Sequence, residues 1–469
     1  MPLPWLRRFY ASEYLVKPSS RKGELPSTRA VYQTSLRVAG PSIIEYFLIS
    51  LITMADTIMV SSVGPHAIAA VGITLQPKFI VQGMVLALNV GVTTMTARRY
   101  GENNHDGAVS CLKQSLVLCL GISTVLSLLA HFFGRELLLF AGAQPDTIDA
   151  AQAYFNVIML ALPINSLSLT ISAALRGIGH TRAPMIINMS ANLVNVFFNY
   201  LLIGGRLGFP ALGVRGAAIA TAIGWTVGLG LALVPILRRN QYFFLLERIG
   251  WKFESTTLRS LYKVSSGAFV EQICVRIGFF TYNKIVAGLG TIMYATHQIG
   301  INILSLSFSV GEGLSLAAAS LVGQNLGAKR PDLSVLYAKS LQRMSLVYCS
   351  ALVLFFMGFG RELISLFSHE PEILDTGGKI LLIAGVVCLG QASQMIYMGS
   401  LRGAGDTMYI AVVSMVSIML IRPLLAYTLA YTLGFGLLGA WCSFLLDQLT
   451  RLVTTYHRFS SGRWASIKL

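Results

Sequence analysis

The chain has 469 residues, 54% of them hydrophobic and only 12% charged. A water-soluble chain carries about twice that share of charge, so the composition argues against a soluble enzyme, a disordered protein or a nucleic-acid-binding domain. What remains is a polytopic membrane protein, in which the net charge of +16 reflects Lys and Arg collected in cytoplasmic loops.

The first 37 or so residues are polar and basic. They include Arg7-Arg8 but no apolar stretch directly behind them, so no cleaved signal is expected and the first span stays in the mature protein. Long apolar segments then predict spans near 39–61, 69–97, 115–134, 152–174, 184–204 and 212–237. After a basic stretch they resume near 264–288, 294–322, 340–358, 380–400, 408–431 and 437–456. Most reach the ~20 residues that a helix needs to cross the hydrocarbon core. Their continuous apolar character favours helices over the alternating strands of a barrel. The predicted fold is thus an all-α polytopic membrane protein of twelve transmembrane helices. Cys111, Cys119, Cys274, Cys349, Cys388 and Cys442 form no CxxC pair and read as small buried apolar residues.

A shift of 226 residues lays one half of the chain on the other. Leu175-Arg-Gly-Ile-Gly-His-Thr181 meets Leu401-Arg-Gly-Ala-Gly-Asp-Thr407, and Phe133-Gly-Arg-Glu-Leu137 meets Phe359-Gly-Arg-Glu-Leu363. At the same shift Glu45 meets Glu271 and Lys113 meets Lys339. Each half holds six spans, an even number, so the two bundles form a parallel internal repeat, an arrangement common in secondary transporters. The expected organisation is a tail (1–38), an N-terminal lobe (39–237), a polar linker (238–263), a C-terminal lobe (264–456) and a second tail (457–469). With twelve spans the tails and alternate loops share one side. That side holds about 25 Lys and Arg against about five near the other, which places both termini in the cytoplasm. In the doubled Leu-Arg-Gly-x-Gly-x-Thr the glycines are expected to permit a tight turn and the Arg to anchor at the headgroups. No Walker loop is present, so an ion gradient is the expected energy source.

Several motifs resemble the MATE (multidrug and toxic compound extrusion) family. They are Met54-Ala-Asp-Thr-Ile-Met-Val60 ending span 1, His297-Gln298 leading into span 8, Leu321-Val-Gly-Gln-Asn-Leu-Gly-Ala328, the doubled loop motif, and Arg422-Pro423 in span 11. They lie in the expected order, and the resemblance covers residues 35–455, bacterial NorM/DinF-like in type. It implies a V-shaped pair of six-helix lobes and antiport, with Na⁺ or H⁺ entering as an organic, usually cationic, compound leaves.

An ionisable group within a span is a functional candidate by default. Asp56 leads, and the resemblance makes it the principal coupling carboxylate. Lys78 in span 2 is its obvious pairing candidate. Asn192, Asn195 and Asn199 in span 5 lie near one helix face, either as polar glue between helices or as part of the site. The resemblance adds Thr221 as a hydroxyl ligand. In the archaeal and DinF-type branch the position of Asn199 is often Asp, so this chain has one negative charge less and H⁺ is favoured over Na⁺. A Na⁺ held by Asp56, Asn195 and Asn199 is the alternative, and no other metal is expected. Glu45 and Glu271 are repeat-equivalent secondary carboxylates, facing a cleft or forming salt bridges, Glu271 with Arg276. Glu45 and Asp56, eleven residues apart, fall on nearly one helix face. The two C-lobe carboxylates of the NorM-type branch correspond to Val275 and Gln391, neither of which ionises, leaving Gln391 as a C-lobe polar contact. Glu312 and Asp447 are weaker candidates.

The expected function is a cation-coupled antiporter that exports small cationic or amphiphilic organic compounds by alternating access. An exporter of a self-made natural product, or a flippase of a lipid-linked precursor, is the alternative. No enzymatic activity, cofactor or nucleic-acid partner is expected. The partners are a small organic substrate, H⁺ or Na⁺, and the lipid bilayer, for a monomer in the inner (plasma) membrane. A receptor or scaffold, the competing class, would need neither buried carboxylates nor a two-lobe repeat.

Overall fold

Hydrocarbon offers backbone N–H and C=O groups no water, so an apolar span must satisfy them internally as a helix. The computed structural model describes residues 4–61, 63–239, 241–247, 251 and 253–469, and among these there is no strand. Six helical segments make up the first half: α1 (Thr28–Ser61), α2 (Pro65–Gly101), α3 (His105–Phe132), α4 (Ile148–Leu160 and Leu162–Gly177), α5 (Arg182–Leu202) and α6 (Gly213–Leu237). Six make up the second: α7 (Ser255–Ala287), α8 (Thr291–Gly327), α9 (Pro331–Ser365), α10 (Pro371–Ala404), α11 (Thr407–Thr432) and α12 (Gly436–Ser460).

Among the described residues nine helices are long and apolar enough to cross a membrane, and the two parts of α4, bent by 48°, make a tenth span. The other two, α7 and α12, have spanning length (33 and 25 residues). Their mean hydropathy is lowered by Glu271, Arg276 and Lys284 in one and Asp447 and Arg451 in the other. The break in α4 precedes Pro163, which cannot donate a helical hydrogen bond. In α11, Arg422-Pro423 is flanked by π-helical stretches, Met415–Ile421 and Thr428–Thr432, a local rewinding that accommodates the proline.

The chain divides into two compact units, Ile44–Ser265 on one side and Met1–Ile43 with Ser266–Leu469 on the other. The first unit is built around Val60, Phe155, Ile158, Met159 and Ala218. The second is built around Tyr282, Ile380, Trp441 and Phe444. The boundary falls within α1, so the N-terminal segment belongs with the second half of the chain. Leu15 and Val16 are buried there beside Leu314, Leu336 and Tyr337. Lys339 Nζ donates to Leu15 O at 2.7 Å, and Asp332 accepts from Lys22 N at 3.0 Å. The linker is held in a similar way on the first unit. Lys113, repeat-equivalent to Lys339, donates to Glu247 O at 2.5 Å, and Gln114 Oε1 accepts from Glu254 N at 3.3 Å. Of the expected linker 238–263, residues 240, 248–250 and 252 lie outside the described residues. Its last part, 255–263, is the polar beginning of α7 rather than a loop.

The doubled Leu-Arg-Gly-x-Gly-x-Thr resolves into separate tasks. The second glycines, Gly179 and Gly405, have φ of +83° and +86° and make the turn, as only glycine does at little cost. The first glycines do something else. A methyl on Gly403 would stand 2.1 Å from Ala319 O on α8, and one on Gly177 would stand 2.1 Å from Thr96 Oγ1 on α2. They permit close helix crossings, which in lipid rest on small residues at the contact. Gly403→Ala is expected to cost about 1–3 kcal/mol by overpacking, read as a lower melting temperature of the purified protein. Gly121→Ala, whose added methyl meets nothing within 4 Å, is the control; equal melting of the two variants would remove the close-crossing account.

Candidate functional site

The first unit gathers a polar group from three helices. Asp56 comes from α1, Asn195 and Asn199 from successive turns of α5, and Thr221 from α6. Both asparagines are buried and Asp56 is half-buried. Asn199 Nδ2 donates to Asp56 Oδ1 at 2.8 Å. It also approaches Asn195 Oδ1 at 3.3 Å. Asn195 Nδ2 donates to Thr221 Oγ1 at 3.1 Å, and that hydroxyl donates to Ala217 O at 2.9 Å.

The Asn195 amide has a second orientation, because oxygen and nitrogen are assigned from the hydrogen-bond network. In the first, its oxygen lies 3.2 Å from both Asp56 oxygens, and the three acceptors share the hydrogens of the single Asn199 amide. Turned over, its nitrogen donates to both carboxylate oxygens at 3.2 Å, and its oxygen accepts from Thr221 N and Oγ1 at 3.1 Å. The second arrangement suits an ionised carboxylate. The first needs a proton or a cation between the acceptors. Asn192 lies outside this group. Lys78, the pairing candidate for Asp56, acts on it electrostatically without a salt bridge of 4 Å or less among the described residues, and places its ammonium 5.6 Å from the centroid of the Trp225 ring. The indole face competes for the ammonium through cation–π attraction.

Glu45 and Glu271 are committed to ion pairs. Glu45, 1% exposed, accepts from Arg176 and from Asn188 Nδ2, both at 2.5 Å. Glu271 accepts from Arg402 at 2.5 Å. Its partner is therefore Arg402, reaching it from α10, rather than Arg276, which lies five residues on and about 140° around the same helix. The four residues correspond at the 226-residue shift, so one ion pair is built twice. This corrects two expectations. The motif arginines do not anchor at headgroups but are drawn into the bundle by a buried carboxylate, and Glu45 does not extend a stripe of free acids from Asp56. The signal was present in the sequence, since the shift that aligns Glu45 with Glu271 also aligns Arg176 with Arg402.

The remaining C-lobe candidates resolve differently. Gln391 is buried, and among the described residues its amide makes a 3.5 Å contact with Met395 Sδ. Asp447 sits between two arginines. Arg451 donates to it at 3.0 Å, and Arg422 donates through Nε at 3.0 Å and through Nη2. Arg422 is itself sandwiched against Phe444 and Phe279, 4.4 and 4.9 Å from the ring centroids. Among the described residues no group of three or more His, Cys, Asp or Glu could hold a metal ion.

Removing one partner of a buried pair leaves an uncompensated charge, at a cost of about 3–5 kcal/mol. Arg176→Met is therefore expected to destabilise the protein strongly, and Glu45→Gln added to it to restore part of the loss. A thermal-melting double-mutant cycle measures this; strictly additive effects would show that the pair does not act as a unit.

Comparison with known proteins agrees with this architecture. A family described as MatE matches residues 41–201 and again 268–428. The starts of the two matches differ by 227 residues, within one residue of the internal shift. A probable multidrug resistance protein NorM of Thermotoga maritima is 29% identical, covering 94% of both chains. The uncharacterized transporter YisQ of Bacillus subtilis is 28% identical, covering 90% of this chain and 93% of its own. The fold is shared with a solved structure described as the outward-facing conformation of a multidrug resistance MATE family transporter of the MOP superfamily. That likeness has a TM-score of 0.85 and 21% identity, and covers 92% of this chain and 96% of the other. With twelve transmembrane helices in two repeated bundles and the family matched in both halves, the chain belongs to the MatE family of membrane transporters.

Proposed function

We propose that this protein is a cation-coupled antiporter that exports small cationic or amphiphilic organic compounds by alternating access, with Asp56 as the coupling carboxylate and H⁺ as the driving ion. The observation that carries the reading is the Asp56 group: an intramembrane carboxylate without an ion-pair partner among the described residues, faced by an amide with two orientations. With Asp56 ionised, the Asn195 amide turns its nitrogen to the carboxylate. With Asp56 protonated, the amide oxygen accepts the new proton and Thr221 receives the amide nitrogen. Loading the site with a proton therefore rewires contacts among α1, α5 and α6, the differential interaction that a coupled conformational change requires.

Na⁺ is the second reading. A hard cation takes about six oxygen ligands, and here a single formal negative charge is accompanied by amide oxygens and one hydroxyl. The single carboxylate favours the proton, because Asn199 stands where a second carboxylate would help to balance a bound Na⁺. The curated relatives named for multidrug resistance support a drug-like organic cargo. A self-made natural product and a lipid-linked precursor remain the competing cargoes. The chain acts as a transporter rather than an enzyme, as a monomer in the inner (plasma) membrane. Both termini face the cytoplasm, by the excess of Lys and Arg on their side.

Uptake of a fluorescent organic cation into proteoliposomes, with pH and Na⁺ gradients imposed separately, tests the proposal. Asp56→Asn is expected to reduce pH-driven uptake to the protein-free background with normal membrane insertion, and Asp56→Glu to retain part of it. Full activity of Asp56→Asn would overturn the mechanism, and uptake driven by Na⁺ alone would transfer the role to that ion.

A further inference from the structure

The second unit contains a cavity of about 420 Å³ among α9, α10 and α12, lined by Lys339, Gln342, Arg343, Ser393, Tyr397 and Tyr456. Two of these side chains are cations, and no carboxylate is among the lining residues. Lys339 is held by the Leu15 carbonyl at 2.7 Å, and the Arg343 guanidinium lies 4.5 Å from the Phe9 ring centroid. Both contacts orient a cation without neutralising it. Arg343 Nε is buried with no hydrogen-bond partner. Gln342 and Ser393, both buried, are linked at 3.0 Å, and they bring further polar groups to the same wall. Such a site repels an organic cation, so it does not fit the cargo proposed above.

The internal repeat supplies a comparison. Lys113 occupies the position of Lys339, but Leu116, Val117, Leu167 and Ile171 stand where Gln342, Arg343, Ser393 and Tyr397 do. The lysine that ties down a preceding segment is common to both halves. The polar, cationic lining is present in one half only, so it is not a requirement of the fold.

The depth of the cavity suggests its occupant. Helix α9 is broken at Phe359, whose backbone is non-helical, so its depth is read from the apolar run that begins near residue 340. Lys339 stands at the start of that run and Arg343 one turn inside it, at the boundary between headgroups and hydrocarbon. The remaining wall is formed by Leu452 and Val453. Val453 and Tyr456 are 64% and 52% exposed on α12, an exposed apolar and aromatic face beside the cavity. Cations at headgroup depth beside an exposed apolar surface are the pattern by which basic pockets between helices take acidic lipids.

We propose that this cavity binds the phosphate of an acidic phospholipid, with Arg343 and Lys339 contacting the headgroup and the Val453 side of α12 contacting an acyl chain. Its volume lies in the range of small-molecule sites and accommodates a phosphoglycerol headgroup. The chemistry recognised is a phosphate ester, and the experiment separates a lipid source from a soluble one.

The full-length protein in neutral detergent is titrated with phosphatidylglycerol, phosphatidylcholine or inorganic phosphate, with lipid adducts read by native mass spectrometry and stability by thermal melting. Phosphatidylglycerol is expected to bind in preference to phosphatidylcholine, and inorganic phosphate neither to stabilise the protein comparably nor to displace the lipid. Arg343→Val, which installs the residue of the other half, is expected to weaken phosphatidylglycerol about fivefold, the contribution of one basic side chain at an acidic surface. Arg343→Lys is expected to keep most of the binding. Melting in phosphatidylcholine serves as the folding control. If Arg343→Val does not fold, the preference and competition measured on the unaltered chain decide. Equal binding of the two lipids, an unchanged preference in folded Arg343→Val, or displacement by inorganic phosphate overturns the proposal.

Discussion

A charge in hydrocarbon has no water to turn to, and the structure is organised by where each buried charge finds its partner. Glu45 with Arg176 and Glu271 with Arg402, both at 2.5 Å, each tie the first helix of a six-helix half to the loop motif that follows its fourth. The cost of burying either member alone makes the pair obligatory. The same constraint gathers Arg422 and Arg451 around Asp447, and it accounts for the spans of lowest hydropathy, α7 and α12, which carry these groups. Asp56 departs from the pattern: its neighbours are amides, and Lys78 lies against Trp225. A carboxylate held by amide hydrogen bonds, with no salt bridge of 4 Å or less among the described residues, can take up and release a cation without breaking a close ion pair.

Duplication and divergence are both visible in the geometry. The two halves share the Glu–Arg pair, the close crossing at Gly177 and Gly403, the left-handed turn at Gly179 and Gly405, and the lysine that holds a preceding segment by its backbone. They differ where chemistry is concentrated. The position of Asp56 is Tyr282 in the second half, where the phenol donates to Ala440 O at 3.0 Å. The position of Arg343 is Val117 in the first half. Shared positions carry the architecture, and the unshared polar ones mark what a single half does.

Much of the fold was legible before any coordinates. Apolar runs of spanning length specify helices, because lipid leaves the backbone no other partner, and a single shift exposes the repeat. Asp56, Asn195, Asn199 and Thr221 were legible as a group, and the three helices do bring them together. The partners of the charged residues were legible only indirectly, through the repeat that aligns Glu45 with Glu271 and Arg176 with Arg402. Spacing along one helix suggested Arg276 for Glu271, whereas the partner comes from α10, and the loop arginines resembled interfacial anchors until their burial was seen. The N-terminal segment likewise read as a tail, although Leu15 and Val16 are core residues of the second unit.

The sequence by itself determined the class of protein, the number and order of its spans, the repeat and the short set of ionisable residues within the membrane. Each of these follows from local composition or periodicity acting against a solvent that tolerates few alternatives. Tertiary structure alone decided which carboxylates are neutralised, which glycine of the doubled motif turns and which packs, and that Lys78 lies over an indole as well as in the field of Asp56. These outcomes depend on side chains brought together from helices distant in the chain. The energy of a buried charge is set by the few ångströms around it, which the order of residues does not specify.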